Sequence, residues 1–370
     1  MKEKRIFILA GEASGDLHAA NLVASIKKQT NKVIIAGWGG DRMEAEGVNV
    51  QKHIRELAFM GFYEVIKNIR TILLNFKMCK EHITAFQPDT IILVDYPGFN
   101  LRMAEWAHKQ GFKVLYFVSP QVWAWKKNRV YHIKKNVNRV FCILPFEKEF
   151  YKKFDVDVSY VGHPLLDEIQ SYFSKNEPIE MSATKPILAI LPGSRKQEIE
   201  RKLPVMLAAA KAFPNYEIQV ACAPNLDVKL YEKYKNNSIH FVKGQTYHLL
   251  QKAKLAIVTS GTATLETALF KVPQVVCYKS SPASYWIARM LIKIKFISLV
   301  NLILDKAAVK ELIQNECTAE NIIAELRKLE EGQTERARLI QDYESLIHIL
   351  GESGASERAA TEMLQEMEKK

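Results

Sequence analysis

The sequence lacks any uninterrupted run of about eighteen apolar residues, so we expect no helix that spans a bilayer. It also lacks a signal-peptide pattern, because the apolar part of MKEKRIFILAGEASGD is short and runs into a glycine-rich turn without a cleavage-like site. The five cysteines have no paired spacing, which argues against a zinc site and predicts buried free thiols, as in a reducing cytosol.

Signatures of common nucleotide and nucleic-acid sites are missing as well. There is neither a GxGxxG nor a GxxxxGK[ST] motif, so nothing demands a dinucleotide or ATP. The formal charge is +11, but no basic run is interleaved with aromatic residues, and we expect no nucleic-acid partner. An anionic membrane surface or a phosphorylated ligand suits this charge at least as well.

What the sequence does contain is a regular alternation of apolar, strand-like segments with helix-like segments. Most of the strand-like segments are continuous apolar runs, which is typical of parallel sheets covered by helices on both faces. The predicted strands are 5–10, 33–37, 89–95, 113–118, 139–144, 158–162, 187–192, 216–222, 239–243, 255–259 and 274–278. This pattern predicts doubly wound α/β domains, with an all-helical segment from about residue 318.

The polar interval at 174–185 divides the strands into two series, and 370 residues suit two domains. We expect Rossmann-like domains at 1–165 and 166–345 that face each other across a cleft. A helical tail, 346–370, is expected to pack back on the first domain or on a partner subunit. Ligands of such sheets bind outside the carboxyl ends of the strands, so the residues that follow the strands are the informative ones.

Asp95 ends a buried strand in IILVDYPGFN and is the candidate general base, because burial can tune a carboxylate to take a proton from a hydroxyl group. The alternative is an Asx turn that caps a helix starting near Asn100. In the first domain, AGEASGD is either a ligand-lining loop or a simple glycine turn before a helix that begins near Asp16 or Leu17. The candidate acceptor-side residues are Glu12, Ser14, Asp16, His18, Trp123 and His163.

Some of these candidates have plain structural alternatives. Trp123 and Trp125 lie beside Lys126, Lys127 and Arg129, where an aromatic platform next to cations could hold a sugar or a phosphorylated headgroup, or the tryptophans could pack in the core. His163 lies in the turn VGHPL and is either a ligand contact or a structural histidine.

Two turns in the second domain suit an anion. In LPGSR, an apolar run ends before a charged helical stretch, so the N–H groups of Gly193, Ser194 and Arg195 and the Arg195 guanidinium can face a phosphate. Pro204 is expected to open a second helical piece. The second turn, SGTATLE, carries Ser260, Gly261 and Thr262 at a strand end, with Glu266 one turn inside a helix, where it could accept both hydroxyls of a ribose. Two such turns point to a nucleotide diphosphate.

No metal ion and no cofactor are expected. Asp155 and Asp157 form a DxD triplet like that of metal-dependent sugar transferases, but a three-residue motif is weak evidence. We interpret the two aspartates as solvated charges at a strand edge. Helix N-termini and Arg195 can neutralise a leaving diphosphate instead. The stretches 60–82 and 285–304 are apolar with interspersed cations and suit either the core or a membrane interface.

Taken together, the motifs resemble those of the lipid-A-disaccharide synthase family, inverting glycosyltransferases with the GT-B fold. The matching stretches occur in family order over nearly the whole chain. They are AGEASGD (10–16), GWGG (37–40), MGFYEV (60–65), VDYPGFN (94–100), SPQVWAW (119–125), VGHPL (161–165), LPGSR..EI (191–199), SGTATLE (260–266) and SLVNLI (298–303).

The resemblance implies transfer of a sugar from UDP-2,3-diacylglucosamine to the 6-hydroxyl of 2,3-diacylglucosamine 1-phosphate (lipid X). The products would be the β-1,6-linked disaccharide phosphate and UDP. It implies peripheral association with the anionic cytoplasmic face of the bacterial inner membrane, and it leaves a homodimer open. It places Asp95 on the family's essential aspartate and Arg195, Glu266 and Asn301 on donor-side contacts.

The alternatives share the fold or the nucleotide site. One is another GT-B enzyme that uses UDP-N-acetylglucosamine, either the glycosyltransferase of the peptidoglycan precursor or a 2-epimerase. The epimerase should not need apolar stretches such as 60–76. A non-catalytic nucleotide-sugar-binding protein would keep the two anion turns but would have no use for Asp95.

Overall fold

A computed structural model describes residues 3–57, 69–124, 128–176, 185–223, 226–235, 238–281, 285, 289 and 295–369. The chain forms two compact units: Met1–Asp167 with Glu352–Lys370, and Glu168–Gly351. Each unit is built on its own parallel sheet. Within the described residues, no helix combines the length and the apolar character needed to cross a bilayer.

The sheet of the first unit has seven parallel strands in the spatial order β3-β2-β1-β4-β5-β6-β7. Its strands are β1 Lys4–Ala10, β2 Val33–Gly39, β3 Asn49–His53, β4 Thr90–Val94, β5 Lys113–Phe117, β6 Arg139–Cys142 and β7 Val158–Tyr160. The order reverses between β1 and β4, which is the position where doubly wound sheets bind their ligands.

The second unit repeats this topology with six parallel strands in the order β10-β9-β8-β11-β12-β13. Its strands are β8 Ile187–Leu191, β9 Glu217–Cys222, β10 Ile239–Lys243, β11 Ala253–Thr259, β12 Gln274–Tyr278 and β13 Lys310–Ile313. The reversal here lies between β8 and β11. The predicted α/β class with Rossmann-like sheets is therefore confirmed.

Helices connect the strands and end the chain. In chain order they are α1 Ala13–Gln29, α2 Asp41–Ala45, α3 Ile69–Phe86, α4 Pro97–Lys109, α5 Arg129–Asn136, α6 Pro145–Lys152, α7 Pro164–Lys175, α8 Lys196–Ala210, α9 Lys229–Glu232, α10 Thr246–Lys252, α11 Thr262–Leu269, α12 Leu299–Leu304, α13 Ala319–Arg327, α14 Thr334–Leu350 and α15 Ala355–Glu368. Short 3-10 turns occur at Ile54–Glu56 and Gln314–Glu316. The helical segment expected from residue 318 is confirmed.

The last helix, α15, packs on α1 within the first unit. Its N-terminus is capped by the Asp167 carboxylate, which accepts hydrogen bonds from the backbone N–H groups of Gly354, Ala355 and Ser356 at 2.5–3.1 Å. A carboxylate at this end also complements the helix dipole. The cap and the helix contact together attach residues 352–370 to the first unit.

Burial follows the apolar pattern of the sequence. Every residue of β4 and of β8 is buried, as expected for central parallel strands. All the cysteines (Cys79, Cys142, Cys222, Cys277 and Cys317) are buried and free, which confirms the prediction of structural thiols.

Several predicted boundaries were wrong. Strands β3 and β13 were missed, because they lie at sheet edges and their half-exposed sequences, NVQKH and KELI, contain few apolar residues. Helix α1 begins at Ala13 instead of near Asp16. Pro204 lies inside a continuous α8 and does not open a second helix. Residues 58–68, 125–127 and much of 282–294 fall outside the described part of the chain, and with them parts of the predicted stretches 60–82 and 285–304, as well as Trp125.

Candidate active site

The strand register of the first unit places two of the predicted loops side by side. Ala10 of β1 pairs with Val94 of β4, so Gly11 and Glu12 lie next to Asp95 at the carboxyl edge of the sheet. A Cβ on Gly11 would lie 2.3 Å from the ring of Tyr96, which leaves no space for a side chain. Gly11 therefore permits the close packing of the two loops.

Asp95 is held in a strained backbone conformation. Asp95 and Tyr96 have φ values of +46° and +50°, and Val118 at the end of the neighbouring strand has +59°. Left-handed conformations of non-glycine residues cost about 1–3 kcal/mol each and persist only where the surroundings enforce them. Such strain concentrates at functional sites.

The surroundings that enforce this conformation are polar side chains bonded to the backbone of Asp95. Its carbonyl accepts hydrogen bonds from the Tyr116 hydroxyl at 2.6 Å and from the Asn100 side-chain amide at 2.8 Å. Helix α4 begins at Pro97 with Tyr96 as N-cap, and no side chain caps it. The Asp95 side chain is thus not the helix cap that the Asx-turn alternative required.

The electrostatics of Asp95 suit a general base. The pKa of its carboxyl group is raised to about 6, mainly by burial and also by the negative charge of Glu12, while a hydrogen bond from the Tyr96 backbone opposes this rise. A base with this pKa is ionised at neutral pH and still binds a proton readily. Beside it lies a cavity of about 180 Å³ that is lined by Asp95, Pro97, Pro120, Gln121, Val122 and Arg129.

Asp16 does not line this site but supports a turn. Its carboxylate accepts hydrogen bonds from the backbone N–H groups of Gly40, Arg42 and Met43 at 2.6, 3.1 and 3.2 Å, at the start of α2. Asp16 is buried, and the GWGG turn packs against it because Gly40 has no side chain. These hydrogen bonds give Asp16 a structural role at this turn, and its contact with a substrate stays a prediction.

The two histidine candidates differ in exposure, since His163 is buried and His18 is half-buried. Burial lowers the pKa of His163 to about 3 and that of His18 to about 4, so both imidazoles are neutral at physiological pH. His163 is buried, and its Nδ1 accepts a hydrogen bond from the Leu165 N–H at 3.2 Å. This supports the structural alternative for His163.

Of the remaining candidates in the first unit, one is exposed to solvent and the others pack or pair with neighbouring side chains. Ser14 is exposed in the first turn of α1. Trp123 is half-buried and packs edge-to-face on Phe146 with ring centroids 4.9 Å apart, whereas Trp125 lies outside the described residues. Asp155 pairs with Lys134 at 3.8 Å, and Asp157 pairs with Arg139, so each carboxylate of the DxD triplet has a cation beside it.

In the second unit the register again brings two loops together. Leu191 of β8 pairs with Val258 of β11, so the turns at 192–195 and 260–262 lie beside each other. Gly193 has a φ of +117°, which favours glycine, and Arg195 is the N-cap of α8. The Arg195 side chain is 59% exposed, and its Nη1 lies 3.6 Å from the carboxylate of Glu198. Ser194 is exposed at the same turn.

The second turn leads into α11. Ser260 donates a hydrogen bond to the Ile297 carbonyl at 2.8 Å, which ties the turn to the segment before α12. Gly261, with a φ of +145°, precedes Thr262, the first residue of α11, and both are exposed. The two turns thus present helix N-termini, whose unpaired N–H groups favour anions.

Glu266 belongs to a small carboxyl cluster that the sequence did not reveal. The Tyr247 hydroxyl lies 3.4 Å from Glu266 and 3.2 Å from Glu168. The pKa of Glu266 is raised to about 7, mainly by burial and also by the negative charge of Glu168, while the hydrogen bond from Tyr247 opposes this rise. The single hydroxyl proton of Tyr247 can be donated to only one of these two carboxyl groups at a time.

Asn301 is held by hydrogen bonds within the second unit. It is buried, and its amide nitrogen donates to the Val309 carbonyl and to Glu311, both at 2.9 Å. Its amide oxygen accepts from the N–H groups of Ala308 and Val309. Its hydrogen-bonding capacity is used internally, which supports a structural role at the start of β13, and the donor contact that the resemblance implies stays a prediction.

The residues that sequence reasoning missed are mainly partners of the ones it found. Tyr116 and Tyr247 reach their positions through strand register and loop course, which a single sequence does not display. The position of Tyr116 follows from the strand register, which only the structure gives: Val94 of β4 pairs with Phe117 of β5, and this places Tyr116 near the end of β4.

Two parallel doubly wound sheets, each with loops of this kind at its carboxyl edge, define the GT-B class of folds. Solved structures agree at the level of fold. A glycosyltransferase of kitacinnamycin aligns with a TM-score of 0.68 at 11% identity, covering 99% of this chain and 100% of that one. A UDP-N-acetylglucosamine 2-epimerase from Neisseria meningitidis, solved with UDP-GlcNAc bound, aligns with a TM-score of 0.64 at 12% identity, covering 98% and 100%.

Within that class, the chain belongs to the lipid-A-disaccharide synthetase family, whose model matches residues 6–366. It is 41% identical to the lipid-A-disaccharide synthase of Syntrophus aciditrophicus (strain SB), over 97% of both chains. It is 39% identical to the lipid-A-disaccharide synthase of Myxococcus xanthus (strain DK1622), over 98% of this chain and 97% of that protein.

Proposed function

We propose that the protein is an inverting glycosyltransferase that forms the lipid A disaccharide. It transfers 2,3-diacylglucosamine from UDP to the 6-hydroxyl of 2,3-diacylglucosamine 1-phosphate. Family membership over residues 6–366 supports this reaction. The observation that carries the mechanism is Asp95, a strand-end carboxyl group with a pKa of about 6 in an enforced backbone conformation.

In this proposal Asp95 acts as the general base of the first unit. Its carboxylate takes the proton of the acceptor 6-hydroxyl, and the oxygen attacks the anomeric carbon of the donor. The bond from that carbon to the diphosphate breaks, and its electron pair leaves with UDP. One direct displacement inverts the anomeric centre and gives a β linkage without a covalent intermediate.

The second unit is proposed to hold UDP. The turns at 192–195 and 260–262 supply backbone N–H groups and the Arg195 guanidinium for the diphosphate. Glu266 accepts hydrogen bonds from the hydroxyls of the ribose. These groups stabilise the negative charge that develops on the leaving UDP. Stabilisation of this kind makes a large contribution to the rate acceleration in such displacements. The mechanism uses no metal ion.

Peripheral binding at the anionic cytoplasmic face of the inner membrane belongs to the same proposal. Leu73 and Leu74 on α3 are 58% and 62% exposed, and Arg70 and Lys77 are exposed on the same helix. An apolar surface flanked by cations suits an anionic lipid interface, where both substrates would reside.

The direct test is incubation of the purified protein with both diacylated substrates, with the products identified by mass and the linkage by NMR. The proposal expects UDP and a β-linked disaccharide monophosphate. If instead the protein leaves both lipids unchanged and converts UDP-N-acetylglucosamine into its 2-epimer, the epimerase alternative is correct.

A further inference from the structure

The cavity beside Asp95 contains an arginine that the proposed chemistry leaves unused. Arg129, the first residue of α5, lines this space of about 180 Å³ together with Asp95. The volume is below the roughly 300–1,000 Å³ of pockets for drug-sized ligands. The cavity therefore has room for one sugar ring with its charged group but not for a whole nucleotide sugar.

The environment of Arg129 favours an anionic ligand. Burial lowers the pKa of its guanidinium, and the positive charge of Arg102 also lowers it, although Tyr116 acts in the opposite direction. A partly desolvated cation near a second cation gains more from an anion than a solvated one does. The planar guanidinium can also bind two phosphate oxygens at once.

Asp95 remains available as a base in the presence of this arginine. The pKa of Asp95 is raised, which is the opposite of the effect that an ion pair with an arginine would produce. The cavity thus offers two different functional groups, a proton acceptor and a cation, to one small ligand.

We propose that Arg129 binds the phosphate of the acceptor and thereby presents the acceptor's hydroxyl group to Asp95. The inference rests on the proposed function and adds to it a specificity residue for a sugar 1-phosphate. In glucosamine the phosphate is on C1 and the 6-hydroxyl is attached through C6 to C5, and C1 and C5 flank the ring oxygen, so both groups can reach the same small cavity. Binding of the phosphate by Arg129 would then position the 6-hydroxyl for the base.

The test compares two acceptors, 2,3-diacylglucosamine 1-phosphate and the same lipid without its phosphate. The wild-type protein should prefer the phosphorylated acceptor in kcat/KM. In Arg129→Met this preference should fall by about 10- to 100-fold, the range expected for charge-assisted hydrogen bonds to phosphate. Arg129→Lys, which keeps the charge, should restore part of the preference. Lys135→Met, an exposed position on the same helix, is the matched control and should keep it.

Binding of glucosamine 1-phosphate, measured by calorimetry, gives a second readout that does not depend on turnover. It should weaken in Arg129→Met while UDP affinity and Tm hold. The inference is overturned if the variant loses activity equally on both acceptors or binds glucosamine 1-phosphate as well as the wild type does. A wild-type protein that binds glucosamine 1-phosphate through Arg129 but forms no disaccharide would contradict the proposed function and leave this phosphate site standing.

Discussion

The hydroxyl group of Tyr116 donates a 2.6 Å hydrogen bond to the backbone carbonyl of Asp95. The bond joins a buried residue of β5 to the strained residue that follows β4. It holds the candidate base through its backbone carbonyl and leaves the side-chain carboxyl group available for the substrate. Tyr116 is therefore proposed as a positioning residue.

Tyr116→Phe should lower kcat by about 10- to 100-fold, since small displacements of a catalytic group cost this much. Stability should fall by only about 0.5–1.5 kcal/mol, the net contribution of one hydrogen bond. Steady-state kinetics and thermal melts give both numbers, with UDP affinity as a check on the second unit. A variant that melts earlier but turns over normally would mean that Tyr116 only stabilises the fold.

The strands of the two sheets could be read from the sequence because central parallel strands are continuous apolar runs. Asp95 could be read too, since an acidic residue directly after such a run is costly without a function or a partner. The edge strands β3 and β13 could not be predicted, because half-exposed strands are not continuous apolar runs. Tyr116 and Asn301 show the other limit: their roles depend on register and on internal hydrogen bonds, which a motif does not report.

The pH dependence of kcat/KM should reflect Asp95. Because the base must be ionised and its pKa is raised to about 6, activity should rise with pH through about 6 and then level off. Glu12→Gln should move this inflection to lower pH, since the charge of Glu12 contributes to the shift. An unchanged inflection in Glu12→Gln, or a profile that is flat between pH 5 and 8, would argue against Asp95 as the titrating group.

Arg195→Ala should weaken UDP binding by about 10- to 150-fold, corresponding to the roughly 1.5–3 kcal/mol of hydrogen bonds to a charged group. The fold should persist, because the side chain is largely exposed and little packing is lost. Arg201→Ala is the matched control on the same helix, at another exposed position. Equal UDP affinity in the two variants would remove Arg195 from the donor site.

Replacement of Leu73 and Leu74 by serine should reduce binding to anionic vesicles by about tenfold or more, because a fully buried leucine contributes about 1.5–3 kcal/mol. Co-sedimentation measures this, and high salt should release part of the wild-type protein by screening its cations. Ile349→Ser removes another exposed apolar residue, from α14, and serves as the control. If both variants bind vesicles like the wild type, α3 is not the membrane contact.

Asp95→Asn tests the central claim most directly, because the amide is nearly isosteric but cannot accept the proton. The folded-state pKa of Asp95 lies above its ordinary value of 3.8, so the ionised carboxylate costs stability above pH 6, and the variant should melt no earlier than the wild type at pH 8. Asp16→Asn is the control: it should lower Tm, because Asp16 caps three backbone N–H groups.

For Asp95→Asn we expect disaccharide formation to fall by about 10²- to 10⁴-fold with UDP affinity and Tm unchanged or higher. Retention of most of the turnover, or loss of turnover only together with a sharp fall in Tm, would contradict the assignment of Asp95 as the base.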